Sequence, residues 1–136
     1  MVPQMPEPFE QLDYIYMPSR DVPADTRHFT EVLGAEMVFA IDGMGARVAM
    51  LALSDSPPFL LLADHVEGET PILVYRVGDL RAAIKSLEER GWKRGHSLEL
   101  PMGPAHSFTT PGGHRVAMYE RLRPGVVESF RGRRDF

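Results

Sequence analysis

The stretch that decides the fold is PILVYRVGDLRAAIKSLEERG, residues 71–91. Its first seven residues, rich in β-branched and aromatic side chains, predict a strand over 71–77. Asp79 follows, and a short carboxylate there caps the free N–H groups of a first helical turn. Leu80, Ala83, Ile84 and Leu87 then recur at helical spacing, and Gly91 suits the helix stop.

Upstream the same order is found in LDYIYMPSRDVPADTRHFTEVLG, residues 12–34. LDYIYM (12–17) predicts a strand, and Asp21 is a cap with Pro23 tolerated in the first turn, where an N–H would have no partner. Val22, Phe29, Val32 and Leu33 predict the buried side of the helix, and Gly34 its end. The landmarks match: seven residues separate Tyr14 from Asp21 and also Ile72 from Asp79. The cap-to-glycine spans are 13 and 12 residues. Three strands are expected after each helix, at 36–42, 46–53 and 58–64 in the first unit and 92–100, 105–110 and 114–120 in the second. Asp42 to Gly45 is a hairpin signal between the first two. In TTPGGHRVAMYE (109–120), Pro111 and Gly112 suit the centre of a type II turn, with His114 as a turn residue. Two β-α-β-β-β units, neither able to bury its apolar face alone, should pack together.

The totals narrow the class. The chain has 136 residues, 43% hydrophobic and 25% charged, in the globular range. It has no cysteine, so disulfides, thiolate metal sites and cysteine nucleophiles are excluded. No apolar run reaches the roughly 20 residues that span a bilayer, and MVPQMPEPFEQ lacks the pattern of a secretion signal. The expectation is a cytoplasmic protein with no membrane partner. The net charge is −4, but the last 16 residues carry five arginines against two acids. The acidic remainder argues against nucleic acid as a partner. The expected partition is an N-terminal arm (1–10), one domain (11–121, with modules 11–66 and 70–121) and a C-terminal tail (122–136), solvated or docked on the acidic body.

Three segments in order carry a family resemblance: RDVPADTRHFTEVLG, VYRVGDLRAAIKSLEERG and PMGPAHSFTTPGGHRVAMYE. Over about residues 10–121 the chain resembles the glyoxalase/bleomycin-resistance/dioxygenase, or vicinal oxygen chelate, superfamily. The resemblance implies an α+β fold in which two tandem βαβββ modules form a half-barrel cup with the helices on its outer face. It also implies a homodimer, for which exposed strand edges and a clasping tail give a reason.

Strand alternation sorts the side chains within that cup. Tyr14, Tyr16, Ile72, Val74, Arg76, Arg115, Ala117 and Tyr119 should face inward as ligand-binding residues, with Leu60 and Leu62 beside them from the fourth strand. Metal-using members place His, Glu or Gln on the first, fourth, fifth and eighth strands. The corresponding residues here are Tyr14, Leu60 or Leu62, Ile72 and Ala117, three of them without a donor atom. No metal and no cofactor are therefore expected. Arg76 and Arg115 could clamp an anion, or pair with Glu99 or Glu120. Met44, Met50 and Met102 could supply adaptable walls. Of the five histidines, His106 is the acid/base candidate, placed near the cup rim. The main reading is a metal-independent small-molecule-binding protein with an aromatic or amphipathic ligand. The alternatives are a lyase- or isomerase-type enzyme and a non-catalytic interaction module whose cup is plugged by its own side chains.

Overall fold

The structure, a computed structural model, describes residues 8–43, 45–93 and 95–136. Residues 1–7 of the expected arm, Met44 and Arg94 lie outside the described residues. Eight strands form one sheet in the order β2-β3-β4-β1-β5-β8-β7-β6. They are β1 (Phe9–Pro18), β2 (Glu36–Gly43), β3 (Ala46–Ala52), β4 (Phe59–Ala63), β5 (Ile72–Val77), β6 (His96–Leu100), β7 (Gly103–Thr109) and β8 (Arg115–Glu120). The order is that of two βαβββ units joined edge to edge and curled into an open half-barrel with the helices outside. β1 runs parallel to β4 and β5 parallel to β8, whereas β1 and β5 meet antiparallel. Ile15 and Leu73, equivalent in the repeat, stand directly opposite each other across that joint. A local two-fold relation between the units therefore passes between them.

Each unit lays its helix on the outer face for the reason read from its sequence. The Asp79 side chain accepts the Ala82 N–H at 3.0 Å and opens α2 (Leu80–Glu89). Ala83 and Leu87 are buried there with Val77 and Met118, and Leu80, Ile84, Trp92 and Phe108 pack around them. The Asp21 side chain accepts the Ala24 N–H at 3.0 Å and opens α1 (Val22–Arg27). This helix continues as a π-helical turn over His28–Val32, closed by the Leu33 N–H bonding the His28 carbonyl. The wider turn breaks the 3.6-residue register. Val22 is buried and Phe29 packs on its cluster, but Val32 and Leu33 are 66% and 51% exposed, against the expectation from spacing. Gly34 and Gly91 end the two helical segments with φ of 77° and 88°.

The β7–β8 hairpin corrects the turn reading. The Gly113 N–H bonds the Thr110 carbonyl, and the positive φ (87°) falls on Gly113, while Gly112 has none. This is a three-residue loop, a type I turn followed by a left-handed residue, whose twist suits the flanking strands. His114 is exposed and donates its backbone N–H to the Thr110 hydroxyl, as a turn residue should.

Beyond β8 a third helix, α3 (Val126–Phe130), crosses the concave face of the sheet. Residues 132–135 then run beside β2 through Gly132 N–H to Val38 O (2.8 Å), Ala40 N–H to Arg133 O (2.9 Å) and Asp135 N–H to Ala40 O (2.7 Å). The tail's charges pair mainly with one another, Arg131 with Glu128 at 2.9 Å and Arg133 with Asp135 at 3.0 Å. Backbone bonds and apolar burial dock the tail on its own chain. No helix among the described residues is long and apolar enough to cross a membrane.

Candidate functional site

The concave face is built from alternate residues of the four central strands and their neighbours. Tyr14 and Tyr16 of β1, Leu61 and Ala63 of β4, Ile72 and Val74 of β5, and Ala117 and Tyr119 of β8 are buried in one cluster. The inward direction read from alternation therefore holds for Tyr14, Tyr16, Ile72, Val74, Ala117 and Tyr119. It fails on β4: Leu60 and Leu62 pack in the α1 cluster on the outer face, and Leu61 and Ala63 turn inward. β4 is apolar at every position, so its sequence contains no alternation from which to read the phase. Pairing fixes it instead, with Tyr16 opposite Leu61 in the parallel ladder.

A polar cluster is buried within this face. β1 has a bulge between Leu12 and Tyr14, and the Asp13 carboxylate (6% exposed) accepts a hydrogen bond from the Tyr119 hydroxyl. It also accepts the Gln11 amide at 2.7 Å. Arg76 lies 3.7 Å from Asp13 and 3.8 Å from Glu10. The Tyr14 and Tyr119 rings are 5.7 Å apart and tilted. Burial pushes the Tyr119 hydroxyl well above the usual tyrosine range, and its bond to Asp13 adds to this. Burial also raises Tyr14, helped by the Asp13 charge and partly offset by Tyr119, Arg121 and Arg76. Tyr16 bonds His65 Nε2 at 3.1 Å, and burial, then the charge of Asp64, pushes it up to about 12. All three tyrosines are thus neutral near pH 7 and present hydroxyls, not phenolates.

The expected pairings of the polar groups are not the ones formed. Arg76 is engaged by Asp13 and Glu10, not by Glu99 or Glu120. Arg115 donates to the Thr70 carbonyl at 2.7 Å. Glu99 pairs with Arg123 at 2.7 Å, and Glu120 accepts the Leu80 N–H at the start of α2. His106, 5% exposed, lies against Trp92 with ring centroids 5.8 Å apart and Ser97 Oγ 3.4 Å from Nδ1. That is the α2 side of the sheet, not the cup rim, because His106 lies opposite Met118 of the outer cluster.

Next to Tyr14 the concave face encloses a hollow of about 360 Å³. Its apolar walls include Val38, Met50, Phe59, Met102 and Val127, and Glu36, Asp55, Arg121, Glu128 and Arg131 also border it. Met50 and Met102 are thus walls, as their flexible side chains allow. Asp13 and the tail residues around α3 were not read as part of the site. A bulge and a returning tail, the features that place them, have no periodic signature. A larger depression of about 670 Å³ lies along α2, lined by Arg81, Lys85, Glu88 and Glu120 with Leu80, Ile84 and Leu122. Both spaces are bordered by exposed charged residues, but the α2 groove is the shallower and lies outside the cup, whereas the hollow reaches the buried Tyr14, Val38, Met50 and Met102, so the hollow is the better candidate for enclosing a ligand.

The residues at the centre of the cup do not suit a divalent ion. Leu61, Ile72, Val74 and Ala117 carry no donor atom, and the tyrosine hydroxyls there stay protonated. Among the described residues no group of three or more His, Cys, Asp or Glu side chains is placed to hold a metal.

No family model matches the chain, and no curated protein matches it. Solved structures do. A methylmalonyl-CoA epimerase from Mycobacterium tuberculosis matches with a TM-score of 0.72 and 18% identity, over 89% of this chain and 94% of that one. A hypothetical protein from Bacillus halodurans C-125 matches at 0.69 and 14%, over 83% and 95%. A Streptomyces coelicolor methylmalonyl-CoA epimerase in complex with 2-nitronate-propionyl-CoA matches at 0.69 and 16%, over 85% and 96%. These neighbours belong to the glyoxalase/bleomycin-resistance/dioxygenase superfamily, and the chain shares their fold.

Proposed function

We propose that this chain, built on the vicinal oxygen chelate fold, holds a small aromatic or amphipathic organic molecule in its concave hollow without a metal ion. The observation that carries this reading is the chemistry of the walls. Hydrocarbon, thioether and tyrosine side chains (Val38, Phe59, Val127, Met50, Met102 and Tyr14) line one part of a space of about 360 Å³, and charged side chains (Glu36, Asp55, Arg121, Glu128 and Arg131) line the rest. That volume lies near the lower end of the roughly 300–1,000 Å³ typical of small-molecule sites. Tyr14 borders the space with a protonated phenol, and apolar burial of the ligand body supplies the affinity.

Thermal melting of the full chain tests this, with a panel of small aromatic and acyl compounds in the presence of a chelator. A ligand at about a hundred times its Kd stabilises the native state by about 2.7 kcal/mol, a rise of roughly 5–10 °C in Tm. A compound in the hollow loses this effect when Met50→Arg places a charge on the wall, with Leu122→Arg as the surface control. A panel that leaves the Tm unmoved refutes the reading.

A second reading, an isomerase acting on an acyl-CoA thioester, is favoured by the epimerases among the structural neighbours. On this reading the candidate base is the Asp13 carboxylate, which is buried behind Tyr14 and accepts the Tyr119 hydroxyl. Exchange of the α-hydrogen of methylmalonyl-CoA in deuterated water, followed by NMR, distinguishes the two. Exchange catalysed by the wild type and abolished by Asp13→Asn would establish the enzyme; no exchange leaves the binding protein.

A further inference from the structure

The concave face carries a second feature: much of it is covered by the chain's own C-terminal segment. Val126, Val127 and Phe130 pack into the same cluster as Tyr14, Met50 and Ala117, and the Phe130 ring meets Phe39 edge to face at 5.8 Å. At its start the segment is fastened by Arg123, which donates to the Pro101 and Leu100 carbonyls at 3.0 and 2.9 Å and to Glu99 at 2.7 Å. At its far end it is held by the three backbone bonds to Val38 and Ala40, by Asp42 N–H donating to the Asp135 carboxylate at 2.9 Å, and by Phe136 under Arg47. The segment thus spans from the β6–β7 hairpin to β2, the strand at the opposite end of the sheet.

We propose that the concave face beneath α3 is a binding site whose resident occupant is this segment, and that an apolar ligand larger than the present hollow enters by displacing residues 124–136 about a hinge at Arg123. Three observations make the segment the part that moves. α3 has five residues and no side-chain cap, far short of a helix that is stable by itself. The ion pairs Glu128–Arg131 and Arg133–Asp135 lie within the segment, so lifting it breaks neither. Its bonds to β2 use outward-facing N–H and C=O groups of an edge strand, which water satisfies once the segment leaves. By contrast, β3, β4, β1, β5 and β8 beneath it each have a bonded strand on both sides. The inference rests on reading the hollow as a ligand site; the opening itself needs no ligand to be measured.

Hydrogen exchange on the full chain tests the opening. The amides of Ala40, Asp42, Gly132 and Asp135 should exchange together, at least tenfold faster than those of Tyr16 and Val74 in the β1–β5 ladder. Ile41, whose backbone alternates toward β3, is the control on the same strand and should stay protected. Exchange of all these amides at one rate overturns the proposal, because the segment then leaves only on global unfolding. The absence of native cysteine allows a second test. Ala40 and Arg134 are bridge partners, so the double variant A40C/R134C can lock the segment by a disulfide. Binding of the dye 1-anilinonaphthalene-8-sulfonate should weaken at least tenfold on oxidation and return on reduction. Equal binding in the two forms overturns the displacement while leaving the reading of the hollow intact.

Discussion

Tyr119 shows how one side chain can be both core and polar site. Its ring is fully buried beside Tyr14, and its hydroxyl satisfies an aspartate that is itself buried. Truncating a donor to a buried carboxylate leaves the acceptor unsatisfied, which costs about 1–3 kcal/mol. Tyr119→Phe should therefore lower the free energy of unfolding in urea by that amount, moving the midpoint down with an unchanged slope. Tyr16 gives a pH prediction. Its folded value of about 12 lies above the unfolded value of 10.0, so the folded state retains a proton the unfolded state gives up. The corresponding stability is fully present below pH 10 and is lost as pH rises from 10 toward 12, up to about 2–3 kcal/mol. Tyr16→Phe should flatten this alkaline loss in unfolding curves taken at pH 9, 10 and 11. A wild-type stability that stays constant from pH 9 to 11 would contradict the burial argument. Tyr14, Tyr16, Ile72, Val74, Ala117 and Tyr119 were legible as inward-facing because their strands alternate in kind or pair with strands that do. Leu62 was not, because five consecutive apolar residues fit either phase.

At the scale of elements, the caps and stops were written locally, and so they appear where the sequence puts them. Asp21 and Asp79 bond the N–H three residues on, and Gly34 and Gly91 close their helical segments. The exceptions are places where one extra residue is absorbed: the π-helical turn after Arg27, the bulge at Asp13, and the loop at Pro111 to Gly113. Such insertions leave composition untouched while rotating everything beyond them. The loop gives a discriminating pair of variants. At Gly113, with φ of 87°, a β-carbon is strained, and Gly113→Ala should cost about 1–2 kcal/mol. Gly112→Ala, at a position without positive φ, should cost clearly less. Chemical unfolding of both decides the turn type, and the reverse order would restore the type II reading.

For the whole molecule, the two units are joined by β1 and β5, and the cup they form has hydrocarbon and protonated phenol at its centre. Donors of this kind do not hold a divalent ion against water, so dialysis against EDTA should leave the Tm within about 1 °C of its starting value. A fall of several degrees would show that a metal supports the halves. The sequence by itself determined the doubled βαβββ order, the helix caps, the face of most strands and the poor ligand chemistry at the four central positions. These are properties of spacing and side-chain type, which act over one element or recur from one unit to the next. Only the tertiary structure decided which way β4 faces, that His106 lies under α2, that Arg76 is engaged by Asp13, and that the C-terminal segment lies across the cup. Each depends on contacts between residues distant in the chain, where pairing register and apolar burial outweigh local pattern.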